Sequence, residues 1–496
     1  MKAKNKDMDK ILEECKRIAY FTSLSYLANW DQETFMPREG IDARAEILSF
    51  IAQEKHRIQT SKKFIDSLEK LIKNPPISSD DQVIVKRLHR DIMKEQKLDK
   101  SFVKKFSKET AYAVEIWKKA HTSNNFKLFL PAFKKVIALN QKKAELIGYD
   151  DHPYDALVDE YEPSMTVKQL DKIFGALKPK LISLVKKITA QNGASPNRIS
   201  GYFPIDAQKE LSHDVIKRIG LKPEHYNLST THHPFCTPLH PQDIRLTTHF
   251  HEEDILKGFS ASIHEAGHGL YENNLPCNYF GTPLAEAASM GIHESQSRIY
   301  ETCIGNSTPF WKFYYPKFQK KFPEALSAIP MEQFVASVRK VKPSLIRIFA
   351  DEVTYCLHVI LRYEIEKGLI DGTIDAKDVP NVWKAKMQES LGILPTSDST
   401  GCLQDIHWSM GAFGYFPTYA LGSIYAGSLF TKYIKENIDW ASQISSGDFS
   451  IFSNFLKEKI HVHGRKFLPF ELIEKATEAA FTTNDYITYL EHRYLI

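Results

Sequence analysis

The chain has 496 residues, 43% of them hydrophobic and 25% charged, with a formal net charge of +4. Composition of this kind supports a large buried core, and a prior of roughly 150 residues per domain would suggest about three domains, which a single helical body can exceed. The charge is nearly balanced and the basic residues are scattered or, as at Lys104 to Lys108, arranged like solvated helix faces, so nothing supports a nucleic-acid or membrane-surface partner.

From the N-terminus, Met1 to Arg17 is polar and charged and lacks the apolar run of a secretory signal, so none is expected. Residues 8 to 200 predict successive amphipathic helices, with apolar residues at helical spacing at Ile11, Ile18 and Leu24 and again from Phe126 to Ile147. Breaks are predicted at Asn74-Pro75-Pro76, at Gly148 to Pro153 and at Asn192 to Pro196. Between 200 and 250 the helical period fades and Pro, His and Thr become frequent. Asp243 to Phe250 alternates like a strand, so a small sheet is predicted here. Helices resume near Glu252, punctuated by Pro276, Pro283 and Gly305. Trp408 to Phe430 carries no charge and is long enough to span a membrane, but its glycines, Pro417, tyrosines and serines mark a buried segment lining a site. No flexible boundary is evident. The reading is one mainly α domain over 1–496: a helical part (1–200), a small sheet region (201–250) and a second helical part with the site (251–496).

Six cysteines occur, none in a CxxC pair. That spacing offers neither a cysteine-ligated zinc nor a disulfide framework, and free thiols point to a reducing, cytoplasmic setting.

The chemistry concentrates at Ile263-His264-Glu265-Ala266-Gly267-His268. Residues four apart share one helix face, so His264 and His268 can offer two imidazole nitrogens to one zinc ion. Glu265 is rotated by about 100° and can reach a metal-bound water without being a ligand. Ile255, Phe259, Ile263 and Leu270 make an apolar stripe on another face. Gly267 costs this helix about 1 kcal/mol relative to Ala, which close approach of another element would explain. A catalytic zinc needs a third protein ligand. Leu284 to Ile304 reads as a second helix whose carboxylates are Glu286, Glu294 and Glu301, and position alone does not choose among them. Glu294 lies where polar residues cluster, whereas Glu286 and Glu301 are nearer the helix ends, where solvated carboxylates are common. A metzincin is disfavoured because Gly269-Leu270-Tyr271 follows His268.

Several separate motifs resemble those of the carboxypeptidase Taq family of zinc metallopeptidases: His233-Pro234-Phe235, Asp243 to Thr247 (DxRxT), His264 to His268 (HExxH), His293 to Gln296, Ile346 to Asp351 (IRxxAD) and Gly401 to Trp408 (GxxQDxHW), with Trp30 to Pro37 resembling its N-terminal region. The resemblance implies a neurolysin-like helical fold with a deep groove and a small sheet near the zinc. It implies a homodimer that removes single residues from peptide C-termini with broad tolerance, activated by zinc, with cobalt or manganese as substitutes. It makes His264, His268 and Glu294 the metal ligands and Glu265 the general base.

A carboxypeptidase must grip a free carboxylate, which the planar fork of arginine suits. Arg347 and Arg245 are the candidates, and for Arg347 the competing reading is an ion pair with Asp351 one helical turn along. His407, Tyr415 and Tyr419 are candidate donors to the oxyanion. Gln404 and Asp405 are expected to orient neighbours, and His293 to support a ligand. His233 and Arg245 lie in the predicted sheet, whose edge could pair with an extended peptide. The rival readings are an endo-acting zinc oligopeptidase with the same site and a helical interaction protein without activity.

Overall fold

The computed structural model describes residues 5–191 and 199–495. The helical first part holds: α1 (Lys6–Thr34), α2 (Ile41–Gln59), α3 (Lys62–Lys73), α4 (Ser79–Gln96), α5 (Lys100–Thr122), α6 (Phe126–Ile147), α7 (Pro153–Tyr161) and α8 (Val167–Gln191). The starts of α1, α3, α4, α5 and α7 are set by side-chain caps, with Asn5, Ser61, Ser78, Asp99 and His152 each accepting from a first-turn amide. The breaks expected at Asn74 and Gly148 fall between helices; the one at Asn192 to Pro196 lies outside the described residues.

The region 201–250 departs from the sequence reading. Its first half is a helix, α9 (Ile205–Ile219), ended by Gly220 at φ 116°. The sheet occupies only the second half, as β1 (Tyr226–Thr230), β2 (Cys236–His240) and β3 (Asp243–Thr248). Leu211, Val215, Ile216 and Ile219 supply a helical apolar stripe, all buried; most of the Pro, His and Thr residues fall after α9, in the strands and the turns between them. The strand order is β1-β3-β2, with β1 parallel and β2 antiparallel to β3.

The C-terminal half holds α10 (Ile255–Asn274), α11 (Met290–Arg298), α12 (Thr308–Lys321), α13 (Pro323–Leu326), α14 (Met331–Val338), α15 (Glu352–Ile370), α16 (Val379–Leu391), α17 (Phe416–Glu436), α18 (Trp440–Ser446), α19 (Ser450–Lys459), α20 (Pro469–Thr477) and α21 (Asn484–Tyr494). The helix expected from Leu284 starts only at Met290. Pro283 to Ala285 forms a 3-10 turn, and Ser289 caps α11 by accepting from the Ile292 amide. Beyond Arg298 the helix widens into a π-turn, Ile299–Ile304. The uncharged stretch from Trp408 is a loop as far as Tyr415, with Gly411 and Gly414 at positive φ, and then the buried helix α17. No helix among the described residues is long and apolar enough to cross a membrane.

Two hydrophobic cores result. A small one joins α1, α3 and α4 through Ile11, Phe64, Leu68 and Ile84, and touches the body at Leu284. The large one spans α5 to α21. Cavities of about 440 and 390 Å³ lie between α1–α4 and the body, sharing Asp91, Glu95, Glu286 and Arg465. Neither is lined by His264, His268 or Glu294, but the larger reaches Glu272 at the far end of α10. All six cysteines are free thiols.

Candidate metal centre

Asp254 caps α10 by accepting from the Leu256 amide, and Ile255, Phe259, Ile263 and Leu270 turn into the core. The helix lies on the sheet through Gly269, whose added Cβ would meet Leu246 at 3.1 Å, and on α11 through Gly267. A Cβ at Gly267 would collide with the Gln296 carbonyl and lie 2.8 Å from Ser297 Cα. This close approach accounts for a glycine in mid-helix. It also brings the two motif helices together next to His268 and about one turn from His264.

There His264, His268 and Glu294 place one donor atom each within 4.8 Å of one another. Glu294 Oε2 lies 3.7 Å from His264 Nε2 and 3.5 Å from His268 Nε2. Behind them, His264 Nδ1 donates to Glu301 Oε2 at 2.8 Å, which orients the ring so that Nε2 faces Glu294. Arg298 holds the same Glu301 oxygen at 2.8 Å and lies over the Tyr355 ring at 4.7 Å. His268 stacks on His293 with ring centroids 4.2 Å apart, and His293 Nε2 bonds Glu272 Oε1 at 3.0 Å. Glu294 is pinned from its other side by α17. An added Cβ at Gly422 would fall 2.7 Å from Glu294 Cβ.

The electrostatics suit a cation. Burial pulls His264 down, but Glu301 and Glu294 more than offset it and raise the imidazole to about 9. Burial and the neighbouring His293 hold His268 neutral, at about 3. Burial pushes Glu265 up to about 7, whereas for Glu294 the penalty of burial is overcome by His264 and His268, which hold it below the ordinary carboxylate range. Three carboxylates thus surround two imidazoles, and the converging donors are two nitrogens and one carboxylate oxygen, a set that fits a catalytic zinc.

Across the site stands a second constellation. Arg347 is buried in a 3-10 turn, Arg347–Phe349. Its partner is not Asp351, whose oxygens accept from the Val353, Thr354 and Lys342 amides and so cap α15. The partner is Asp405, at 3.0 Å from Nε and 2.9 Å from Nη2. Asp405 also accepts from Arg362 Nε at 2.7 Å, and Gln404 Oε1 accepts from the Arg347 amide and from Arg362 Nη2. Although burial opposes it, the two arginines hold Asp405 well below the usual range. Arg347 lies over the Tyr419 ring at 4.8 Å, and Tyr419 Oη is 3.2 Å from His407 Nε2. Burial drops His407 to about 4, so it is neutral. Tyr415, the N-cap of α17, is followed by Tyr419 and Gly422 at spacings of four and three, so the tyrosines fall on the side of the helix pressed on Glu294.

The remaining residues singled out by sequence lie in and beside the sheet. Arg245 bonds Asp243 at 2.7 Å and lies over the Trp30 ring at 4.7 Å, which ties the sheet to α1. His233 is exposed, and its carbonyl accepts from Thr231. Glu301 figures in the sequence reading only as one of three carboxylates that could be the third ligand, and Arg298 does not figure there. Glu301 lies in the π-turn that follows α11, so its reach to His264 is set by tertiary packing and has no signal in the local sequence.

This chain matches the family model for carboxypeptidase Taq (M32) metallopeptidases over residues 10–494. The chain belongs to the carboxypeptidase Taq family. It is 37% identical over 481 residues to carboxypeptidase 1 of Bacillus subtilis, covering 97% of this chain and 96% of that one. It is 34% identical to thermostable carboxypeptidase 1 of Thermus thermophilus, covering 98% and 97%. Among solved structures, the carboxypeptidase of this family from Deinococcus radiodurans R1 superposes with a TM-score of 0.96 at 31% identity, and metallocarboxypeptidase 1 of Trypanosoma cruzi with 0.95 at 34%, each covering 99% of both chains. The protein is a metallocarboxypeptidase of the carboxypeptidase Taq family, a peptide hydrolase with a divalent-metal site and the mainly helical fold of its relatives.

Proposed function

We propose that the enzyme removes single residues from peptide C-termini with broad side-chain tolerance, using zinc held by His264, His268 and Glu294. Held by His264, His268 and Glu294, a divalent ion would supply Lewis-acid polarisation of the scissile carbonyl and activation of water. Glu265 accepts the proton of the attacking water and passes it to the leaving amine. The pair His407 Nε2 and Tyr419 Oη, with Tyr415 beside them, supplies donors to the carbonyl oxygen as it gains charge.

The observation that carries the exopeptidase reading is the state of Arg347. A guanidinium has five N–H donors. Three go to Asp405 and to Tyr355 Oη (3.3 Å), which leaves two for a terminal carboxylate beside the metal centre. Asp405 keeps the fork oriented. His233, Arg245 and the edge strand β2 are assigned to the peptide backbone, and Arg245→Ala is expected to lower activity with metal content intact; unchanged kinetics count against that part. A homodimer, a cytoplasmic location, and cobalt or manganese as substitute metals complete the reading.

The deciding experiment compares an N-blocked peptide having a free C-terminus with its C-terminal amide, products read by mass spectrometry. Stepwise loss of terminal residues from the acid and inertness of the amide are expected. Internal cleavage of both at similar rates would establish the endo-acting alternative.

A further inference from the structure

Two large apolar side chains stand in solvent beside the buried arginine of the site. Arg347 is 6% exposed, while the next two residues of the same 3-10 turn, Ile348 and Phe349, are 58% and 65% exposed. The turn faces α10, because Lys257 Nζ lies 5.5 Å from the centroid of the Phe349 ring. Lys257 precedes His264 by seven residues, just under two turns, so both project from one side of the helix. Phe349 therefore looks onto the histidine-bearing side of α10, about 10 Å along the axis from His264. Lys257 is anchored in turn by Asp254 Oδ2 at 3.9 Å.

We propose that Ile348 and Phe349 are the wall against which the side chain of the departing C-terminal residue packs, with Lys257 steadying the ring. The proposal rests on the reading that Arg347 takes the terminal carboxylate. The α-carbon of the terminal residue is one bond from that carboxylate, which brings its side chain to the residues following Arg347. A large apolar or aromatic side chain covers Phe349 and Ile348 and gains from leaving water. Alanine is too short to cover them, and a charged side chain loses hydration there. Within a broad tolerance, the enzyme thus prefers large apolar C-terminal residues.

The test uses the full-length, metal-loaded enzyme and N-blocked dipeptides differing only in the last residue: Phe, Leu, Ala, Asp or Lys. Phe349→Ala is expected to lower kcat/KM about tenfold for Phe and Leu and to leave Ala within about twofold, with Ile348→Ala weaker in the same sense. Phe349→Leu, which keeps an apolar surface, restores most of the loss and stands in if the alanine variant proves less stable. An equal fall on all five substrates, or no change on any, overturns the proposal. Arg347→Ala examines the underlying reading separately, since it should weaken all five substrates alike and erase discrimination between acid and amide. If it does not, while Phe349→Ala still flattens the profile, the carboxylate assignment falls and the wall stands.

Discussion

Glu265 is 6% exposed and sits among His264, Glu294, His293 and Glu301, with burial the largest influence on it. Replacing it by glutamine keeps the volume and leaves the donor set intact. Metal analysis of Glu265→Gln is therefore expected to match the wild type, while steady-state kinetics show a loss of about 100-fold or more. Substantial residual turnover would remove Glu265 from the reaction. A different carboxylate controls stability. Glu366 is fully buried and accepts from Tyr154 Oη, Trp408 Nε1 and the Gly414 amide, which anchors the loop leading to the tyrosines. Burial outweighs these donors and lifts it from the usual 4.5 to about 7. The folded state then binds the proton more tightly than the unfolded chain. Its contribution is fully present below about pH 4.5 and is lost as pH rises through about 7. The stability advantage of the wild type over Glu366→Gln should shrink by about 2–3 kcal/mol between about pH 5 and about pH 8. Chemical denaturation at both pH values reads this directly, and a constant gap would contradict it.

Among the elements, the contact of α10 with α11 decides the metal site. An exposed glycine in mid-helix is ordinarily improved by alanine. Gly175 on α8 is such a case, with open space where a Cβ would go, and Gly175→Ala should stabilise by about 0.5–1 kcal/mol. Gly267→Ala gains the same intrinsic propensity but places the Cβ on the Gln296 carbonyl. Separation of the helices would draw Glu294 away from the histidines. The expected result is a lower Tm and weaker metal retention against a chelator, both measurable without turnover. A variant as stable and as well loaded as the wild type would show that the helices have slack.

For the whole molecule, α1, α3 and α4 carry a core of their own, which meets the body through Leu284 and Tyr279 and through polar contacts. Arg465 bridges Asp91 and Glu286 at 2.8 Å each, and Asp80 accepts from Tyr279 Oη and Lys466 Nζ. Arg465→Ala is expected to speed hydrogen exchange in α1–α4 while leaving α10 and α17 protected; uniform exchange across both would mean the two cores act as one. The metal acts on the other side of this division. A cation bound only by the folded state stabilises it by about 3 kcal/mol at about 100 times its Kd. Chelation should therefore lower the Tm of the body, and reloading with zinc should restore it.

What could be read without coordinates follows the range of the physical signal. Helical periods, the strand expected over Asp243 to Phe250 and found over Asp243 to Thr248, and the four-residue spacing of His264 and His268 all live in short windows, and local chain geometry dictates them. Gly267 announced a close neighbour, because a helix tolerates the cost of glycine only for a reason. The departures came where local signals compete: proline, histidine and threonine in the sheet masked α9, and Ser289 capped α11 six residues after the expected start. Other features were beyond any window. That Arg347 bonds Asp405, far along the chain, and not Asp351 four residues on, depends on which side chains α15 and the loop before α17 bring together. That Glu301 braces His264 while Gly422 presses on Glu294 depends on three helices meeting. The sequence by itself determined the donor types and their spacing, since backbone geometry carries those. Only tertiary packing decided which charges share the buried site, because in a medium of low dielectric a charge is settled by its spatial neighbours.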